Sequence, residues 1–324
     1  MGRVPIVATL QRVPGGMMLI PLLIGSIVRT FWPGFLDMGS FTTALFKNGA
    51  LPLIALLILA TGAQINVRQS GVVLARTGVL LLAKTIVPAL LVIAYGYTFG
   101  KPGVLGLSLL AAMIAFINSN GGLWIALASQ YGDEEDKGAY IASALNDGPF
   151  FTLLFLGLSG LGAIPWIYIV AAIIPFVIGF VLGNLDHRFA EMMKPTAAIT
   201  IPFFAFALGA GIDMRSLALG GATGVILGVL VSVVTGMLGY VAYRYILGAP
   251  SAVGFAIGTT AGNSVATPAI VAEADPSFSA FVPVATAQVA AAVLITAILT
   301  PILTHYLQRR IQPRAQLAGA AAGR

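Results

Sequence analysis

Long apolar stretches alternate with short polar connectors along the whole chain. A membrane-spanning helix needs about 20 mostly apolar residues, and ten stretches meet that description. They lie at roughly 15–32, 44–64, 72–98, 103–131, 138–160, 166–184, 197–213, 216–247, 251–273 and 279–307, and are numbered here as spans 1 to 10. Two are interrupted by polar and glycine residues. Span 4 contains Asn118, Ser119, Asn120, Gly121 and Gly122 at its centre. Span 9 contains Gly262-Asn263-Ser264, followed by Thr267-Pro268. The pattern predicts an all-α membrane protein with ten transmembrane helices, the fourth and ninth of them broken.

The pattern also repeats. Pro21-Leu-Leu-Ile-Gly25 in span 1 matches Pro175-Phe-Val-Ile-Gly179 in span 6. Leu51-Pro52, then Gly62-Ala-Gln-Ile-Asn-Val-Arg68 in span 2, matches Ile201-Pro202, then Gly209-Ala-Gly-Ile-Asp-Met-Arg215 in span 7. The interruptions of spans 4 and 9 correspond, and Asn146 in span 5 falls in register with Gln288 in span 10. Each half holds five spans, and an odd number inverts the second copy relative to the first. The expectation is two five-helix inverted repeats, residues 1–165 and 166–324, a plan shared by secondary transporters.

Non-helical backbone at membrane depth survives only where protein or water satisfies it. Each break frees carbonyls at one half-helix end and amides at the other. The amide end carries partial positive charge and suits an anion, while freed carbonyls with Asn and Ser side chains suit a cation. Two breaks crossing near the midplane would make a polar centre.

Composition narrows the class. The chain is 58% hydrophobic and 9% charged, with a mean hydropathy of +0.97. Soluble domains carry about 25% charged residues, so a soluble surface is excluded. There is no cysteine and there are two histidines, His187 and His305, so neither a metal site nor a cofactor is expected. No cleavable leader is read in Met1 to Pro14. The net charge of +6 sits in connectors, which argues for topology rather than nucleic-acid binding. With the N-terminus inside, the inner side holds Arg3, Arg12, Arg68, Arg76, Lys137, Arg188, Lys194, Arg244, Arg309, Arg310, Arg314 and Arg324; the outer side holds Arg29, Lys47, Lys101 and Arg215. That bias predicts both termini in the cytoplasm.

Ionisable groups inside spans are expensive and usually functional. Lys84 lies in span 3 and Asp147 in span 5, in Asn146-Asp147-Gly148-Pro149. Two readings stand: Asp147 as a proton-coupling carboxylate with Lys84 as its partner or the substrate's counter-ion, or a static ion pair. Glu273 and its repeat counterpart Gln130 face either a cation site or solvent. Asp133-Glu134-Glu135-Asp136 is expected to be a solvated inner loop. Thr61, Gln64 and Asn66 close span 2 at the inner face, and Phe203-Phe204-Ala205-Phe206 is expected to pack or face lipid.

Pro14-Gly-Gly-Met-Met-Leu-Ile-Pro21, Asn120-Gly-Gly-Leu123, Gly148-Pro149, Gly183-Asn184-Leu185-Asp186, Ile201-Pro-Phe-Phe-Ala-Phe-Ala-Leu-Gly209 and Ala266-Thr-Pro-Ala269 resemble the bacterial 2-keto-3-deoxygluconate permease family over nearly the whole chain. The resemblance implies proton-linked uptake of this sugar acid across the bacterial inner membrane by alternating access. It departs at Asp147, where the family pattern carries a glutamate, one methylene longer. A wider relationship to bile-acid:sodium symporter-like proteins implies a panel domain of helices 1, 2, 6 and 7. The core domain would comprise helices 3, 4, 5, 8, 9 and 10, with crossed broken helices 4 and 9. It also raises sodium coupling as a rival, with a cation near Asn120, Asn263 and Glu273.

The candidate substrate site therefore comprises Asn118, Ser119, Asn120, Gly121, Gly122, Asn146, Asn263, Ser264, Thr267, Gln288 and Lys84, with Asp147, Glu273 and Gln130 for ion coupling. The expected partners are an anionic sugar acid and the lipid bilayer, with the chain a monomer or weak homodimer. Three other readings stay open. One is export, or transport of another small organic anion; another is a passive channel. The third is an intramembrane hydrolase using Ser159 of Gly157-Leu-Ser-Gly160, which would need a base within hydrogen-bond reach.

Overall fold

The computed structural model describes residues 5–12, 16–66, 68, 71–211, 214–249 and 251–322. Pro14, Gly15, Val67, Ile212 and Asp213 of the quoted motifs, and Arg3 and Arg324 of the charge count, lie outside the described residues, as do the side chains of Arg12, Arg215 and Arg314. Among the described residues every regular element is helical. The α-helices are α1 (Ile6–Arg12), α2 (Gly16–Phe31), α3 (Ser40–Phe46), α4 (Ala50–Ala63), α5 (Gly71–Phe99), α6 (Leu109–Ile117), α7 (Gly121–Tyr131), α8 (Glu134–Gly138), α9 (Ile141–Asn146), α10 (Phe150–Leu158), α11 (Trp166–Leu185), α12 (His187–Met193) and α13 (Thr196–Gly209). Then come α14 (Met214–Leu230, continuing to Tyr245), α15 (Thr267–Ala274) and α16 (Val282–Ala322).

Five of the apolar segments are long enough to cross a bilayer unaided: Gly71–Phe99, Leu109–Tyr131, Trp166–Leu185, Gly220–Tyr245 and Pro276–Ile311. Three pairs of helices meet at sharp bends, two of them inside expected spans 2 and 5 and the third just before span 7. α3 and α4 meet at 58°, the α8–α9 segment and α10 at 59°, and α12 and α13 at 41°. The bends fall at Asn48-Gly49, at Asp147-Gly148-Pro149 and at Lys194-Pro195, residues that leave helical geometry or withhold an amide. The first half of span 9 departs further: Ala252–Ile257 and Gly262–Ala266 are 3₁₀ turns joined by extended residues, and only α15 is α-helical.

Two long helices widen midway. α5 passes through a π turn at Leu82–Ile86, and Pro88 explains it. Proline has no amide to give the carbonyl of Lys84 four residues back, and its ring crowds that carbonyl. α14 has a π turn at Val231–Thr235, where the Thr235 hydroxyl donates to the Val231 carbonyl at 2.7 Å and competes with the backbone ladder.

Small residues set the packing, as they do where lipid removes the hydrophobic drive between helices. α2 lies on α13 and α4 on α11, while α4 also touches α13. A methyl group on Gly25 would collide with the Phe206 carbonyl, and one on Gly209 with that of Leu22. Likewise Gly62 meets the Phe176 carbonyl and Gly179 that of Leu59. The two contacts exchange under the sequence correspondence of Gly25 with Gly179 and Gly62 with Gly209. In a second group, α14 runs along α16 through Gly220, Gly224 and Gly228, spaced four apart and set against Ala287, Ala291 and Ile295. α5, α6, α7 and the turns of 252–266 pack with this second group.

Candidate functional site

Residues 118–120 leave the helix. Asn118 and Asn120 are extended, with φ/ψ of −101°/147° and −87°/102°. The chain then re-enters α7, which Asn120 caps by accepting from the Leu123 amide at 3.0 Å. Buried side chains hold the break. Asn146 accepts from the Ser119 amide at 3.1 Å and from its hydroxyl at 2.8 Å, and donates to Thr85 at 3.1 Å. Ser119 also donates to Ser143 at 3.0 Å, and Asn118 donates to the Gly148 carbonyl at 3.2 Å. Thus α5, the break and α9 share one network.

The second break lies against the first. Thr259 accepts from the Asn120 amide at 2.9 Å, and Thr260 donates to the Ala115 carbonyl at 3.2 Å. The freed carbonyls do not wait for a solvent cation. Ala115 accepts from Thr260 and Lys84, Ile117 from Thr85 at 3.2 Å, and Gly258 from Thr300 at 2.6 Å. The amide end differs: Gly121 and Gly122, the first residues of α7, line an open space beside the break.

That space is a cavity of about 330 Å³, within the range of small-ligand sites. One wall is Met17, Met18, Leu57, Thr61, Ala197, Ile201 and Phe204, from α2, α4 and α13. The opposite wall is Asn120, Gly121 and Gly122 of the first break and Ala261, Gly262 and Asn263 of the second, with Tyr140 and Asp147. Asp147 is the one carboxylate among the lining residues. Several buried polar atoms here have no hydrogen-bond partner: Asp147 Oδ1, Asn118 Oδ1, Ser264 Oγ and both amide atoms of Asn263. Buried polar groups are nearly always paired, so this concentration marks a place completed by a ligand or water.

Of the candidate residues, Asn120, Gly121, Gly122, Asp147 and Asn263 line the cavity, whereas Asn118, Ser119, Asn146, Ser264 and Thr267 are buried at or beside the breaks without lining it. The structure separates others. Lys84 makes no ion pair with Asp147: fully buried away from the cavity, it donates to Ala115 at 3.3 Å and Thr235 at 3.2 Å. Gln288 has spent its side chain outside the site. It accepts from the Ser108 amide and hydroxyl and donates to Gly106 and Thr223, stapling the loop before α6. Glu273 and Gln130 are exposed and line no part of the cavity. The acidic run is only half solvated: Asp133 and Asp136 close a capping box on α8, and both pair with Arg76. Asp136 is 4% exposed and its carbonyl takes the Trp124 indole at 2.9 Å. Hydrogen bonding from Arg76 holds Asp133 below the ordinary carboxylate value. Ser159 is bonded to the Leu156 carbonyl, while His187 lies beside Glu191 and His305 beside Tyr131, so neither histidine serves it.

Tyr140, Met17 and Met18 enter the site without having been singled out as site residues. Both methionines belong to the Pro14–Pro21 motif, which was a signal. Tyr140 had none, since α8 and α9 bring it to the cavity only through the fold. Thr61 moves from cap to wall, and Phe204 from packing to wall.

A family model described as 2-keto-3-deoxygluconate permease matches residues 7–313. The 2-keto-3-deoxygluconate permease 1 of Salmonella typhimurium is 45% identical over 288 residues, covering 89% of this chain and 90% of that protein. The 2-keto-3-deoxygluconate permease of Xanthomonas euvesicatoria pv. vesicatoria is 42% identical over 295 residues, with 89% and 92% covered. That of Escherichia coli O139:H28 is 38% identical over 294 residues, with 89% and 90% covered. These relatives are permeases rather than enzymes, and with its apolar helices the chain is a bacterial membrane protein. An apolar helical frame holding a polar, ligand-sized cavity between two helix breaks is thus met in a chain that belongs to the 2-keto-3-deoxygluconate permease family.

Proposed function

We propose that this chain is a secondary active transporter that takes up 2-keto-3-deoxygluconate with a proton, by alternating access, across the bacterial inner membrane. The observation that carries the reading is the cavity itself. Its walls belong to two differently packed helix groups, and they hold one carboxylate and the first residues of α7. The substrate carboxylate sits at the Gly121 and Gly122 amides, where the α7 dipole favours an anion. Its hydroxyls meet Asn120 and Asn263 in the cavity wall, with the unpartnered Ser264 hydroxyl buried beside them. Asp147 takes the proton. Anion and proton together carry no net charge through the barrier, which avoids the expense of moving a charge through low dielectric.

In this reading α2, α4, α11 and α13 form the panel and the remaining spans the core, which moves against it. The exchanged glycine contacts and the paired π turns of α5 and α14 support two inverted five-helix repeats. Both termini lie in the cytoplasm, following the excess of basic residues on that side, and the chain acts as a monomer or weak homodimer.

The test is uptake of labelled 2-keto-3-deoxygluconate into proteoliposomes, under a proton gradient and, separately, a sodium gradient. Uphill accumulation driven by protons alone is expected. Accumulation that needs sodium would replace the coupling ion, and no uptake under either gradient would remove the substrate.

A further inference from the structure

The proton reading leaves one ionisable group without a task. Lys84 is fully buried in the π turn of α5. No carboxylate pairs with it among the described residues. A buried amine needs acceptors for its N–H donors, and its surroundings supply them at the carbonyl end of α6. Lys84 Nζ donates to the Ala115 carbonyl at 3.3 Å, two residues before that helix ends at Ile117, and to the Thr235 hydroxyl at 3.2 Å. Thr235 in turn donates to Val231 at 2.7 Å, so its oxygen is free to accept. The C-terminal end of a helix carries partial negative charge. Here it is a half-helix ending inside the membrane, with no bulk water to screen it.

The other break shows the contrast. Its Gly258 carbonyl is taken by Thr300, itself bonded to Ser232 at 2.9 Å. Ser232 lies in the π turn of α14, as Lys84 lies in that of α5. Among the side chains that serve these two carbonyl ends, the second break has hydroxyls, while the first has a lysine nitrogen as well.

We infer that the tethered side-chain nitrogen of Lys84 permanently occupies the carbonyl end of the first broken helix, where a metal cation from solution would otherwise bind. The inference deepens the proposed proton coupling and rests on it for its consequence in transport: this break takes no sodium during the cycle. Lys84 is a positioning residue, since it touches neither the cavity nor its contents.

The first measurement needs no substrate, so its outcome is independent of the transport reading. Detergent-purified wild-type protein and Lys84→Ala are unfolded thermally in sodium chloride and in choline chloride at equal ionic strength. The expected result is a midpoint for Lys84→Ala that falls in choline and recovers by a few degrees in sodium, because a small cation binds only the folded state, with no sodium effect on the wild type. Lys84→Gln replaces Lys84→Ala if the latter does not fold. In proteoliposomes under a fixed proton gradient, uptake by Lys84→Ala should drop at least tenfold in choline and return in sodium. Lys84→Arg should transport without sodium. A wild type stabilised by sodium, or a folded Lys84→Ala indifferent to sodium in midpoint and uptake, overturns the assignment. Loss of uptake by the wild type under every gradient would instead overturn the transport reading and leave the thermal test standing.

Discussion

Replacing Asp147 by Asn tests the coupling step directly. The substitution conserves volume, and the new amide can face Asn263 across the same cavity. What it removes is the one group among the lining residues that can bind and release a proton at ordinary pH. One carboxylate implies one proton per monovalent sugar acid. Each pH unit across the membrane supplies about 1.4 kcal/mol per proton, which is about a tenfold concentration ratio. Because anion plus proton is electroneutral, membrane potential should add nothing. Wild-type proteoliposomes with a one-unit gradient, inside alkaline, should therefore reach about tenfold accumulation of labelled substrate, unchanged by a potassium–valinomycin potential. Asp147→Asn should equilibrate substrate without concentrating it, yet still exchange internal for external label. A variant that reaches the wild-type ratio would refute the role of Asp147. Accumulation by the wild type that grows with the potential would refute the count of one proton.

Three further outcomes are expected from purified protein in detergent. Asn146→Ala leaves the Ser119 amide buried without its acceptor and should lower unfolding stability by about 1–3 kcal/mol; a chemical denaturation curve reads this, and uptake should fall with it. Gly224→Val forces a branched side chain between α14 and the Gln288–Ala291 turn of α16, with about 1–3 kcal/mol lost to overpacking, seen as a lower thermal midpoint. Arg76→Ala strands Asp136, 4% exposed, and should destabilise by about 3 kcal/mol; Arg76→Lys should recover part of this in the same melt.

The breaks were legible because helix-poor, hydrogen-bonding residues in an apolar run have few structural excuses at membrane depth. Asn118, Ser119, Asn120 and Asn263 stood out for that reason and converge in space. Asp147 stood out by its charge. The partnership of Lys84 with Asp147 failed because hydropathy locates a charge along a span but not around it: Lys84 meets Ala115 and Thr235 while Asp147 lines the cavity. Gln288 was assigned by register with Asn146, yet a register match fixes depth in the bilayer and not the neighbour met there. The solvated reading of Asp136 missed Arg76, which is remote in sequence. The bend at Asp147-Gly148-Pro149 was not read from span 5, although Gly148 and Pro149 carry its cause, and Tyr140 reaches the cavity from the junction of two short helices that hydropathy does not mark.

The exchanged glycine contacts of the α2/α13 and α4/α11 pairs carry a consequence for how such a chain tolerates change. Were the halves separate, identical polypeptides inserted in opposite senses, the Gly25–Gly209 and Gly62–Gly179 contacts would be the two copies of a single isologous interface. In the proposed inverted repeat the two contacts lie in one chain, so each can vary separately under a common steric limit. On that proposal each half is free to diverge in the cavity while the glycine seam is not. Substitutions should therefore accumulate asymmetrically around Asp147 and Asn263 and symmetrically, toward small residues only, at the four glycines.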